Sequence, residues 1–145
     1  MSTKEVQEQL AENMKQWQKV ENASISSTAK VMEQTDNAVI RQIMEIIQQD
    51  SAMHYHIQGL IVRSLEEESL SMNPDELVNV WDLIEHHIKL EKKTITLAEE
   101  ALEALKGKKM VLQEYLINYL LMDEEKHNKL LESLEKIKSG MYPYG

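Results

Sequence analysis

The sequence predicts an all-α protein, an antiparallel four-helix bundle. Three observations lead there. Apolar residues recur at spacings of three and four almost throughout, and no alternating strand pattern competes with them. Only 4 glycines and 2 prolines occur in 145 residues, too few for the turns of a sandwich, a barrel or a glycine-rich nucleotide fold. The hydrophobic share is 42% and the charged share 28%, a globular rather than a disordered composition, with Leu, Ile, Met and Ala in place of phenylalanine, which is absent. The length suits one domain over residues 1–140 followed by a short tail, 141–145.

Four helical stripes follow in order. The first, over residues 4–33, carries Val6, Leu10, Met14, Trp17, Ile25, Thr28 and Met32. The second, over 37–67, carries Ile40, Ile43, Ile47, Met53, Ile57, Leu60, Ile61 and Leu65, with Gly59 tolerated inside it at about 1 kcal/mol against alanine. Asn73-Pro74-Asp75-Glu76 opens the third, over 74–106, with an N-cap, a proline at the first helical position and a glutamate three residues after the cap. Its stripe is Leu77, Val80, Trp81, Ile84, Ile88, Ile95, Ala98, Leu102 and Leu105. Gly107 suits a left-handed stop before the fourth helix, over 109–138, which carries Leu112, Leu116, Leu120, Leu130, Leu131, Leu134 and Ile137 and ends at Gly140.

Composition removes several classes of function. With no cysteine there is no disulfide framework, zinc finger, thiol catalysis or cysteine-held iron–sulfur cluster. A net charge of −9 repels phosphate backbones, so no nucleic-acid partner is expected. No uncharged apolar run approaches the roughly 20 residues of a membrane span, and the first eight residues lack the apolar region of a secretory signal. The expectation is a cytoplasmic protein without a membrane partner.

The chemistry lies where polar residues interrupt the stripes. Glu21 shares a face with Met14, Trp17, Ile25 and Thr28. Asp50 and His54 share one with Ile43, Ile47 and Ile57; His87 and Glu91 with Ile84, Ile95 and Ala98; Glu124 and His127 with Leu116, Leu120 and Leu131. Distances along the chain from the two hairpin turns bring the members of each pair of helices to one level near mid-length, at 1.5 Å rise per residue. Carboxylates desolvated together cost several kcal/mol each unless they take up protons or hold a cation. Carboxylate and imidazole without thiolate suit iron, manganese or zinc rather than copper(I).

The two hairpins also echo each other. Glu21-Asn22-Ala23-Ser24-Ile25-Ser26 resembles Glu91-Lys92-Lys93-Thr94-Ile95-Thr96, and Asp50-Ser51-Ala52-Met53-His54 resembles Asp123-Glu124-Glu125-Lys126-His127. Two hairpins that each bring a Glu and an acid–His pair match the ligand pattern of two-metal bundles.

On these residues the chain resembles the ferritin-like superfamily, nearest its rubrerythrin-like and bacterioferritin-like branches. The resemblance implies a di-iron carboxylate bundle with metal ligands Glu21, Asp50, His54, His87, Glu91, Glu124 and His127. The match is clean at Glu124-x-x-His127. On the second helix it departs: the position three before His54 is Ser51, and Asp50, four before, is the nearby acid, with His87 able to compensate. A degenerate second helix implies one iron per chain instead of two. No haem is implied, because Ala52 stands where bacterioferritins carry the axial methionine. The family joins its second and third helices by a long crossover; here only 68–73 looks non-helical, a short reach at about 3.3–3.6 Å per residue.

What the resemblance implies is binding and oxidation of Fe(II) by oxygen or peroxide, in iron handling or stress defence, with Tyr55, Tyr115 or Tyr119 near the metal. The competing expectation is a metal-poor helical bundle acting as a stress or regulatory interaction protein. A hemerythrin-like oxygen carrier fits His87-x-x-x-Glu91 but lacks that family's His-x-x-x-His pair. Trp17, Trp81, Ile61, Leu121 and Met122 on several helix faces suggest a homodimer, with a higher assembly open.

Overall fold

The computed structural model describes residues 1–139. It contains four helices: α1, Thr3–Glu33; α2, Ala38–Glu66; α3, Pro74–Ala104; and α4, Val111–Lys138. No strand occurs among the described residues, so the chain is all-α with four helices, as the periodicity predicts. The expected stop at Gly140 and the tail 141–145 lie outside the described residues.

Local chemistry sets the helix ends. Ser2 opens α1 with a capping box: its Oγ accepts the Glu5 N–H at 3.1 Å while Glu5 Oε2 accepts the Ser2 N–H at 3.4 Å. Asn37 opens α2, its Oδ1 accepting the N–H groups of Val39 and Ile40 at 3.0 Å each. Asn73 and Glu76 close the same kind of box at α3, with Pro74 in the first turn, where its missing N–H costs nothing. The third helix ends at Ala104, two residues earlier than its pattern suggests, and Gly107 turns the chain at φ 72° before α4. No side chain caps α4.

The chain forms two compact units, Met1–Leu70 and a second from Ser71 onward. The first is the α1–α2 hairpin. Its antiparallel register is visible in its polar ties: Lys15 to Glu66 at 2.7 Å, Gln18 Nε2 to the Tyr55 carbonyl at 3.1 Å, the Ser24 and Ser51 hydroxyls at 2.8 Å, Gln48 Nε2 to the Ile25 carbonyl at 3.3 Å, and Arg41 to the Met32 carbonyl. The second is the α3–α4 hairpin, tied by Thr94 to Glu124 at 2.8 Å and by the Lys138 ammonium 4.3 Å from the Trp81 ring centre. Among the described residues the buried apolar side chains are Ala11, Met14 and Leu77, whereas Glu21, Thr28, Ser51, Gln58 and Glu91 are buried polar ones. Polar side chains are thus buried as deeply as apolar ones, and each such group needs a partner.

Candidate metal centre

Glu91 is the pivot of the second hairpin. It lies mid-way along α3 and is only 6% exposed. Its Oε1 sits 2.8 Å from His87 Nε2, one turn back on the same helix, and 3.5 Å from His127 Nδ1 on α4. Its Oε2 is buried with no hydrogen-bond partner. An orphaned carboxylate oxygen in such a place is costly.

Glu124 faces Glu91 from α4. Thr94 Oγ1 lies 2.8 Å from Glu124 Oε2 and 2.7 Å from the Glu91 carbonyl, so its single proton serves one of them at a time. The neighbouring Glu124 carboxyl holds Glu91 below the usual carboxylate range, against the opposing effect of its burial and with help from His87. Glu91 in turn pushes Glu124 up, and burial adds to it.

His127 completes the group. Its Nδ1 faces Glu91 Oε1 and lies 3.9 Å from Glu124 Oε2, while its Nε2 lies 3.3 Å from Asp123 Oδ2. Lys126 holds the other Asp123 oxygen at 2.8 Å. The ring of His127 thus has a carboxylate beside each nitrogen, Asp123 at Nε2 and the Glu91–Glu124 pair at Nδ1. A carboxylate beside one nitrogen is the usual way of orienting an imidazole whose other nitrogen takes a metal. One ligand atom each from Glu91, Glu124 and His127 lie within 4.8 Å of one another, and the three residues could hold a metal ion. Two oxygens and one nitrogen suit a hard or borderline divalent cation.

The first hairpin brings together fewer of the expected ligands. Glu21 is buried at 7% exposure; Trp17 Nε1 donates to its Oε1 at 3.0 Å, and His54 Nδ1 lies 3.6 Å from the same oxygen. Asp50 is exposed on α2, and no interaction joins it to Glu21 or His54 among the described residues. Ser51, not Asp50, is buried opposite α1. Tyr55 and Tyr115 are exposed, and neither hydrogen-bonds a site carboxylate among the described residues.

Three contributors escaped the pattern reading. Asp123 reads as a surface acid, yet its i,i+4 spacing to His127 is the available signal for an orienting partner. Thr94 looks like a stripe edge. Trp17 looks like core but is half-exposed and spends its indole N–H on Glu21.

Compared with family models, with curated proteins and with solved structures, the chain has no significant match. The site's own geometry therefore carries the functional argument.

Proposed function

We propose that this chain is a non-haem iron-binding carboxylate protein of the ferritin-like kind, holding one metal per chain at Glu91, Glu124 and His127 and oxidising Fe(II) with oxygen or peroxide. The observation that carries the reading is the buried, unpartnered Glu91 Oε2 within a group whose three ligand atoms lie within 4.8 Å of one another. A divalent cation would satisfy that oxygen and offset the charge of the two neighbouring carboxylates.

Each side chain has a defined part. Glu91 and Glu124 supply oxygens, and their combined negative charge favours the ferric over the ferrous ion. His127 would supply Nδ1, with Asp123 beside Nε2 to orient the ring. His87, hydrogen-bonded to Glu91 Oε1, steadies that carboxylate and can accept or return a proton at its edge. Iron is the substrate here: each Fe(II) gives up one electron, so reduction of one peroxide to two waters consumes two Fe(II) and two protons. Iron handling or peroxide defence is the role this chemistry serves, and manganese or zinc would fit the same donors.

A second reading, an interaction protein with little metal chemistry, draws on the large apolar side chains left exposed, among them Val20, Leu83, Leu97 and Leu130. The same side chains support a homodimer. Metal analysis separates the readings. After anaerobic Fe(II) loading and desalting, inductively coupled plasma mass spectrometry should find about one iron per chain, lost in the Glu124→Ala/His127→Ala double variant. A folded natural chain that retains no iron, manganese or zinc would sink the metal reading and leave the interaction one. Addition of peroxide to the loaded protein should raise ferric absorbance in the near ultraviolet, and the double variant should respond only as free Fe(II) does.

A further inference from the structure

The two hairpins place equivalent residues in equivalent contacts. Trp17, Glu21 and Ser24 on α1 stand 70 positions before His87, Glu91 and Thr94 on α3. Asp50, Ser51 and His54 on α2 stand 73 positions before Asp123, Glu124 and His127 on α4. The contacts follow these two offsets. His54 Nδ1 to Glu21 Oε1 is 3.6 Å, and His127 Nδ1 to Glu91 Oε1 is 3.5 Å. Trp17 Nε1 to Glu21 Oε1 is 3.0 Å, and His87 Nε2 to Glu91 Oε1 is 2.8 Å. The Ser24 hydroxyl meets the Ser51 hydroxyl at 2.8 Å, where Thr94 Oγ1 meets Glu124 Oε2 at 2.8 Å. Glu21 and Glu91 are buried to nearly the same degree, 7% and 6% exposed.

We infer that the first hairpin is a second copy of the metal-holding unit, reduced to a two-donor remnant, and that Ser51 in place of a glutamate is what withholds a divalent cation from Glu21 and His54. The inference rests on the reading of Glu91, Glu124 and His127 as metal ligands.

The chemistry of the exchange is consistent. In the second hairpin two carboxyls converge beside His127, and the buried Glu91 Oε2 has no hydrogen-bond partner, a gap that a cation would fill. In the first, Ser51 is neutral, so Glu21 has no second carboxyl to repel it. The indole N–H of Trp17, which cannot give up its proton or act as a ligand, satisfies the oxygen that His87 satisfies in the other copy. The remnant is therefore self-sufficient without metal.

Asp50 stands at the repeat position of Asp123, yet it is exposed and no interaction joins it to His54 among the described residues, so the first hairpin lacks the carboxylate beside the histidine as well.

The test is to restore the missing carboxylate. With Co(II) as the probe, the natural chain should bind about one ion and Ser51→Glu about two, the second lost again in Ser51→Glu/His54→Ala. A folded Ser51→Glu chain, judged by circular dichroism, that still binds one ion overturns the inference. Should that variant not fold, His54→Ala in the otherwise natural chain decides: unchanged Co(II) stoichiometry and affinity support a remnant, and a fall in either overturns it. A natural chain that binds no Co(II) removes the proposed metal function and this inference with it; a natural chain with one ion and a Ser51→Glu chain with one ion removes only the inference.

Discussion

In the proposed site Asp123 would orient His127. Its Oδ2 lies 3.3 Å from Nε2, which leaves Nδ1 as the nitrogen that faces Glu91 and Glu124. Partners of this kind are typically worth about 10–100-fold in metal affinity. Asp123→Ala should therefore weaken Fe(II) or Co(II) binding by about that factor, measured by competition with a chelator, while the helix content in circular dichroism stays unchanged. A variant with undiminished affinity would mean that the imidazole is held by other contacts. The acid pair gives a second prediction. Glu124 is raised above 4.5, so its contribution to apoprotein stability is present below that value and lost as pH rises through its folded pKa. Glu91 is lowered below 4.5, so its contribution is present above that value and lost as pH falls through its folded pKa. As far as this pair is concerned, the apoprotein is most stable near the ordinary carboxylate value and weakens on either side. Thermal melts of the apoprotein from pH 4.5 upward should show a decline that Glu124→Gln abolishes and bound Zn(II) flattens. A flat profile in the natural apoprotein would show that the two carboxyls do not shift one another.

Helix ends were the most legible part of the sequence, because capping is local. Asn73, Pro74 and Glu76 form the box their spacing announces, and Gly107 takes the positive φ that its position after a stripe suggests. Gly107→Ala should destabilise the α3–α4 turn by about 1 kcal/mol from the left-handed backbone alone, since nothing lies within 4 Å of the added Cβ. Asn37→Ala, which leaves the Val39 and Ile40 N–H groups without their acceptor, should cost about 1 kcal/mol in denaturant melts. The site was legible by halves. Glu91, Glu124 and His127 stand on stripe positions with the spacing of a known ligand pattern, and the fold brings them together. Asp50 was attractive because it is the acid beside His54, but a helix turns 100° per residue, and it is Ser51 that faces Ser24 across the hairpin. Periodicity marks a face to within a residue. It does not say which of two neighbours reaches across, because that depends on the interhelical register, which here is set by ties such as Gln18 to the Tyr55 carbonyl.

On the scale of the whole molecule, the apolar surface matters more than the charge. Among the described residues no helix is long and apolar enough to cross a membrane. Yet the chain exposes Trp17 at 50%, Val20 at 64%, Leu83 at 75%, Leu97 at 62% and Leu130 at 62%. At roughly 25 cal/mol per Å² of apolar surface removed from water, covering several such side chains gives a driving force of several kcal/mol before the cost of association. A net charge of −9 opposes association through long-range repulsion, but salt screens that within about 8–10 Å, whereas apolar burial is insensitive to it. Self-association should therefore strengthen as salt rises. Light scattering coupled to size exclusion should give twice the chain mass at micromolar protein, with the dimer fraction growing as ionic strength is raised. Replacing Leu83 and Leu97 together by lysine should shift the population to monomer while leaving metal content at Glu91, Glu124 and His127 unchanged, because neither leucine belongs to the metal-holding group. A natural chain that elutes as a monomer at every concentration and salt level would overturn the homodimer.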